Sequence, residues 1–240
     1  MRVDFAVIFT RREKTMVEKF EEMIDKIMED FLTRSVRERQ TGKYYPSELH
    51  FCIRQLWLSY KQPKMFNIDT LKLFESGSIF HNWFREVIFK GYLNETIKDF
   101  DYEGSLVWND KDIEIRGRFD DIIVVEWESK PILLEVKSSR SLKFTKDVKA
   151  HHLMQINFYL SILKLPKGYV IYLDRSNLQH KIFEVKQSSD LFNEVIKRAK
   201  MLHKHLTENK IPFPESKLDS KMRWNCDYCL YRMECLKAGG

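Results

Sequence analysis

The placement of four cysteines constrains this chain more than any other feature. Cys52 stands alone in PSELHFCIRQLWLSY, while Cys226, Cys229 and Cys235 crowd into WNCDYCLYRMEC. A Cys-x-x-Cys pair with a third cysteine close behind is the local spacing that lets several thiolates surround one centre. A fourth ligand from Cys52 would close most of the chain into a single loop, so the fold must bring an early and a late segment together. A conventional zinc module supplies two local cysteine pairs, which fits this pattern poorly, yet a structural Zn²⁺ held by four cysteines stays open.

The 240 residues, 43% hydrophobic and 13% aromatic, suffice for one large domain or two small ones and argue against long disordered stretches. Lys and Arg outnumber Asp and Glu by 41 to 35, a net charge of +6 that favours a polyanionic partner. The apolar run Phe5 to Phe9 is too short for a secretory core, and no run approaches the roughly 20 residues of a spanning helix. The expectation is a cytoplasmic protein with no membrane partner, where disulfides do not persist and the cysteines serve as ligands. Nothing in the sequence fixes the oligomeric state.

Met16, Phe20, Met23, Ile27 and Phe31 recur at helical spacing and predict an amphipathic packing or partner helix over about 13 to 39. Ser47 is the expected N-cap of a helix that carries Cys52 and runs to Tyr60. A helix over about 76 to 92 is apolar on most sides and is expected to be largely buried. Strand patterns begin at Leu106 and continue through 112 to 126 and 130 to 138. A helix over about 147 to 163, strands near 169 to 173 and 181 to 186, and a basic helix over about 190 to 209 follow, and Pro212 and Pro214 end the last helix. The organisation expected is a helical N-terminal extension, 1–43, followed by one α/β domain over 44–236.

The strands 112 to 126 and 130 to 138 lie close enough in sequence to form an antiparallel hairpin. Pairing Val125 with Lys130 places Asp120 opposite Glu135, and Lys137 falls on the same face. Two neighbouring carboxylates on an Ile, Val and Leu hairpin repel each other and lose hydration, and a divalent cation offsets both costs. Oxygen ligands favour Mg²⁺ or Mn²⁺, which keep waters able to act as nucleophiles. The plain alternative is a pair of solvated strand ends with Arg118 or Lys137 as partners.

An Asp followed by Glu-x-Lys on the next strand resembles the PD-(D/E)XK nuclease superfamily, with Phe119-Asp120 in place of Pro-Asp. Gly77 to His81 fits the G-x-x-x-H element of its RecB-like branch, Gln155 to Tyr159 fits the Q-x-x-x-Y element, and the order of the motifs is the family's order. The cysteine pattern is similar to that of RecB-like members with an iron-sulfur cluster, and the match is nearest to the CRISPR-associated exonucleases, the fourth Cas protein, over about residues 44 to 236. The resemblance implies a restriction-endonuclease-like mixed sheet flanked by helices, with helical additions at both ends joined by a 4Fe-4S cluster on Cys52, Cys226, Cys229 and Cys235. It implies a metal site of His81, Asp120, Glu135 and the Val136 carbonyl, with Lys137 catalytic and Gln155 and Tyr159 in an active-site or DNA-positioning role. The implied activity is cleavage of single-stranded DNA, often as a 5′ to 3′ exonuclease, with the CRISPR integrase complex as partner in spacer acquisition.

Ile53 replaces a proline common after the first cysteine, and the N-terminal helix departs from the most compact members. A viral or plasmid nuclease of replication or recombination, and a catalytically idle cluster-bearing DNA-binding subunit, are the competing readings. His81 by itself also fits a hydrogen-bonded core histidine, and His151 and His152 are expected in surface or support roles. Lys197, Arg198, Lys200, Lys204, Lys210, Lys217, Lys221 and Arg223 are candidate phosphate contacts or a solvated face, while Trp224, Tyr228 and Tyr231 are candidates for base stacking or for packing around the cysteines.

Overall fold

The computed structural model describes residues 14–33 and 38–239, so the run Phe5 to Phe9 and parts of the expected first helix lie outside the described residues. The helix α1 (Met16–Leu32) opens with a capping box: the Thr15 hydroxyl accepts from the Glu18 N–H and the Glu18 carboxylate from the Thr15 N–H. It ends where Thr33 turns extended, short of the expected limit. Its apolar stripe faces outward, with Met16 77% and Phe31 76% exposed, and only Leu32 is buried.

The strand β1 (Lys43–Tyr44) precedes α2 (Ile53–Lys61). Ser47 does not cap α2; residues 46–50 form turns and Cys52 is the N-cap. The helix starts late because this segment's backbone groups find partners elsewhere. Arg198 donates to the carbonyls of Leu49 and Phe51, and Glu215 accepts from the Ile53 N–H at 2.6 Å.

The helix α3 (Ile68–Leu93) begins earlier than expected, because the Asn67 side chain accepts from the Thr70 N–H and caps it. The expectation of general burial fails. Phe80, Phe84 and Ile88, at steps of four, pack on the sheet, while Ile79, Trp83 and Val87 remain exposed.

The strands β2 (Asp99–Tyr102), β3 (Ser105–Asp110), β4 (Ile113–Arg118), β5 (Asp121–Val124) and β6 (Ile132–Ser139) follow, then α4 (Ala150–Leu163), β7 (Lys167–Asp174), β8 (His180–Lys186) and α5 (Ser189–Thr207). The tail carries the short helices α6 (Glu215–Leu218), α7 (Trp224–Asp227) and α8 (Arg232–Lys237). The strands form two sheets, ordered β1-β4-β3 and β2-β5-β6-β7-β8. The second is mixed: β6 and β7 are parallel, joined across α4, and its other pairs are antiparallel. Helices cover both faces, with α3 over Leu134, Val136 and Ile171, and α4 and α5 over Leu133 and Val170.

The expected strand 112 to 126 is broken into β4 and β5, which lie in different sheets. The pairing is nonetheless continuous. Ser105 faces Arg118 in one sheet and Tyr102 faces Asp121 in the other, with no slip in register between them. One long antiparallel ribbon therefore bends at Glu103-Gly104 and Phe119-Asp120. Backbone bonds from Glu103 N–H to the Asp120 carbonyl (3.0 Å) and from Phe119 N–H to the Gly104 carbonyl (3.2 Å) hold the corner. The buried Phe119 ring fills the space over Gly104, where a Cβ would lie 2.2 Å from it. Any side chain at that point would have to displace the ring.

Candidate active site

Asp120 sits at this corner. β5 pairs with β6 from Asp121 opposite Leu134 to Ile123 opposite Ile132, the register expected for the hairpin, and one step further along it Asp120 meets Glu135. Since β5 does not extend that far, the N–H of Val136 lacks a strand partner on this side, and the Asp120 Oδ2 accepts it at 2.7 Å. Asp120 Oδ1 lies 3.1 Å from His81 Nδ1 on α3. Glu135 is fully buried; its Oε1 accepts from Lys137 Nζ at 2.6 Å, and its Oε2 has no hydrogen-bond partner among the described residues. Alternation along β6 places Glu135 and Lys137 on the side facing α4.

The electrostatics of this cluster follow from burial of several charges together. Burial and the Asp120 charge push the Glu135 carboxyl up to about 7. For Asp120 burial acts upward, but the His81 hydrogen bond and the Lys137 charge outweigh it and hold the carboxyl below its ordinary range. Lys137 shows the converse: burial pulls its ammonium down, and Glu135 and Asp120 more than restore it, so the charged form is favoured. Burial also lowers His81, and the Asp120 hydrogen bond and charge reverse that into a net rise.

On α4 the Gln155 Nε2 donates to the Tyr159 hydroxyl at 3.1 Å. Burial and the Glu135 charge raise the Tyr159 phenol well above its usual value. Its ring lies against the backbone of β4, where a Cβ on Gly117 would come within 2.4 Å. Asp120 thus contacts His81 and Val136, Glu135 contacts Lys137 beside them on β6, and Gln155 and Tyr159 line the adjoining α4 side.

The donor set suits a hard divalent cation. Two carboxylates carry the oxygen ligands Mg²⁺ or Mn²⁺ prefer, and the orphaned Glu135 Oε2 is a buried acceptor in want of a positive partner. In the arrangement described, Lys137 and His81 neutralise the carboxylates, and among the described residues no group of three or more His, Cys, Asp and Glu side chains is positioned to hold a metal ion.

The four cysteines are free thiols: Cys52 is buried at the start of α2 and the other three are partly buried in the tail. Burial raises the Cys229 thiol to about 11, and Cys52, Cys235 and Cys226 each add to that rise, so the four lie within electrostatic reach of one another. The tail is docked independently of them. Arg198 pairs with both oxygens of Glu215 at 2.9 Å, Arg54 donates to the Ala238 carbonyl at 2.6 Å, and Lys64 pairs with Glu234 at 2.5 Å.

Several expected DNA contacts are engaged elsewhere. Arg198 is buried as a strut beneath the Cys52 segment, Lys200 pairs with Asp110 at 2.6 Å and Lys197 with Glu194 at 3.4 Å. Tyr231 is buried, with its hydroxyl accepting from the Lys64 N–H, whereas Tyr228 is 84% exposed. The side chain of Lys221 lies outside the described residues.

Sequence reasoning missed His50. Its ring stacks on His151 at 4.7 Å and on Trp224 at 6.2 Å, and His152 Nδ1 lies 2.7 Å from the Tyr172 hydroxyl. The Lys137 charge reaches all three histidines, and burial is the main force holding each below its ordinary value. A matching offset was available as a signal: His50 precedes Cys52 by the same two residues that separate Trp224 from Cys226.

The chain is similar to nucleases of known class. The CRISPR-associated exonuclease Cas4 of Saccharolobus solfataricus is 28% identical over 164 residues, which cover 66% of this chain and 69% of that protein. The crystal structure of SSO0001 shares the fold at a TM-score of 0.58 and 23% identity, over 90% of this chain and 95% of that one. The family model of the PD-(D/E)XK nuclease superfamily matches residues 6–236. With that match spanning both the bent ribbon and the cysteine tail, the chain belongs to the PD-(D/E)XK nuclease superfamily.

Proposed function

We propose that the protein is a metal-dependent nuclease that hydrolyses single-stranded DNA, mainly as a 5′ to 3′ exonuclease, and that it prepares DNA for CRISPR spacer acquisition beside the integrase complex. The observation that carries the chemistry is the fully buried, unpartnered Oε2 of Glu135 beside Asp120 and Lys137. The substrate and pathway are supported by likeness to a CRISPR-associated exonuclease.

Asp120, Glu135, His81 and the Val136 carbonyl would hold Mg²⁺ or Mn²⁺, which when bound acidifies a water and polarises a phosphate. Burial pulls the Lys137 ammonium down and the Glu135 and Asp120 charges more than restore it, so its charged form would orient the water and steady negative charge on the nonbridging oxygens. Tyr159 likewise stays a neutral phenol, able to donate a hydrogen bond, with Gln155 fixing its hydroxyl. His81 holds the Asp120 carboxylate in place from the α3 side.

The test is cleavage of end-labelled single-stranded DNA with Mn²⁺ or Mg²⁺, comparing the wild type with Glu135→Ala and Lys137→Ala. Loss of cleavage with folding and DNA binding retained supports the assignment, and undiminished cleavage by both variants sinks it.

Cys52, Cys226, Cys229 and Cys235 are proposed to hold an architectural 4Fe-4S cluster. Anaerobic purification giving a brown protein with iron and labile sulfide is the expected result, and a colourless zinc protein would reject the cluster.

A further inference from the structure

A cavity of about 630 Å³ opens beyond the carboxyl end of β6, outside the cluster of Asp120, Glu135 and Lys137. Three separate elements supply its cations: Lys72 from α3, Arg140 after β6 and Arg175 after β7. Ser76 and Ser176 add hydroxyls, and Asp69 is its one acidic residue. Among the described residues none of the three cations has an ion-pair partner, and the Arg175 Nε is buried without a hydrogen bond.

A second cavity, lined by Lys143, Asp174, His180 and Lys181, lacks this character. There Lys181 Nζ already donates to the carbonyls of Leu142 and Thr145, at 2.8 and 2.9 Å. The unsatisfied Arg175 donor, with the exposed Arg140 and Lys72 gathered beside it from distant parts of the sequence, suits an acceptor-rich anion, and a phosphate matches the guanidinium fork.

Position adds to the argument. Ser76 precedes His81 by five residues on α3, about 7 Å of helix, and Arg140 follows Lys137 by three residues, about 10 Å of extended chain. Both paths lead from the carboxylate cluster toward the cavity. A strand with one phosphate at Glu135 and Lys137 would bring a neighbouring phosphate to this basic opening.

We infer that the cavity formed by Lys72, Arg140 and Arg175 is a phosphate subsite for the DNA strand, separate from the cleavage centre. The inference rests on the nuclease reading for its substrate and deepens it. The same chemistry could come from a terminal 5′ phosphate or from an internal diester.

The experiment measures binding of short fluorescent single-stranded oligonucleotides in EDTA as a function of salt. The proteins are the wild type, Arg140→Gln, Arg175→Gln, Arg175→Lys and a control, Lys26→Gln on the exposed α1. Each Arg→Gln change is expected to weaken binding about tenfold at low salt, as for removal of one charge-assisted hydrogen bond. The slope of log K against log salt should become shallower by about 0.7 for each phosphate no longer neutralised. Arg175→Lys should recover part of both, and Lys26→Gln should leave both near the wild-type values.

A loss confined to 5′-phosphorylated DNA assigns the subsite to the terminal phosphate, and an equal loss with 5′-hydroxyl and circular DNA assigns it to an internal one. Affinities and slopes indistinguishable from those of Lys26→Gln overturn the subsite. Cleavage by the wild type would in that case leave the nuclease reading intact. Conversely, a wild type that binds with the expected dependence but never cleaves with Mn²⁺ removes the nuclease reading and keeps the subsite.

Discussion

At the scale of single residues, the cluster joins two carboxylates that oppose each other's ionisation to an ammonium that both of them hold charged. Lys137→Ala is expected to reduce cleavage by about 100- to 1000-fold, as for removal of one preorganised charge donor, and to lower the melting midpoint, because it strips the buried Glu135 of its ion-pair partner. Single-turnover cleavage beside a thermal melt checks both parts. Gly117→Ala tests the seat of Tyr159. Its new Cβ would collide with a ring atom at 2.4 Å, so it should cost about 2 kcal/mol by overpacking and impair cleavage as Tyr159 and Gln155 shift together.

Asp120, Glu135 and Lys137 were legible in the sequence because strand alternation and a short loop fix a register, and a register fixes which side chains meet. His50 was not legible. Its partners His151 and Trp224 lie far along the chain, and no local period announces a stack built from three separate segments.

At the scale of elements, the ribbon from β2 to β5 shows what pattern alone conveys. Its pairing could be read through Val125 and Lys130, but its passage from one sheet to another depends on how Phe119 fits over Gly104, a contact with no periodic signature. β2 escaped notice for a simpler reason: Asp-Phe-Asp-Tyr carries acidic residues that strands disfavour. The apolar residues of α3 were visible, but composition could not say that one stripe of them would meet a sheet while the others stayed exposed.

The α4 helix carries a pH dependence. Burial holds His151 down at about 4 and lowers His152 as well, so between the unfolded value near 6.5 and those folded values the unfolded chain binds more protons. Their share of stability is therefore full above about pH 6.5 and is lost as the pH drops toward 4, whereas Glu135, raised to about 7, contributes in the opposite sense. Urea midpoints isolate the histidine share: the stability of the wild type relative to His151→Gln should fall across that range.

The tail offers a second test at this scale. Cys52→Ser is expected to lower the melting midpoint by about 5 °C, a loss of roughly 2 kcal/mol for a chain of this size. It should not release the tail completely, since Arg198, Arg54 and Lys64 still hold it. Limited proteolysis should show faster cutting after residue 210 and no change within the sheets.

At the scale of the whole molecule, two sheets share one bent ribbon, and helices lie over both faces of the larger one. The outlying α1 adds little to this body, because Leu32 is its one buried residue. Phe20→Ser and Phe31→Ser together should shift the melting midpoint by no more than about 3 °C, and a larger fall would mean that the core reaches further than these contacts indicate.

The bond from the Val136 N–H to Asp120 carries a consequence of its own. Val136 is fully buried on an interior strand, so water does not readily replace that acceptor. Asp120→Ala would then strand a backbone donor as well as silence the enzyme, and urea titration should show a loss of about 1–3 kcal/mol.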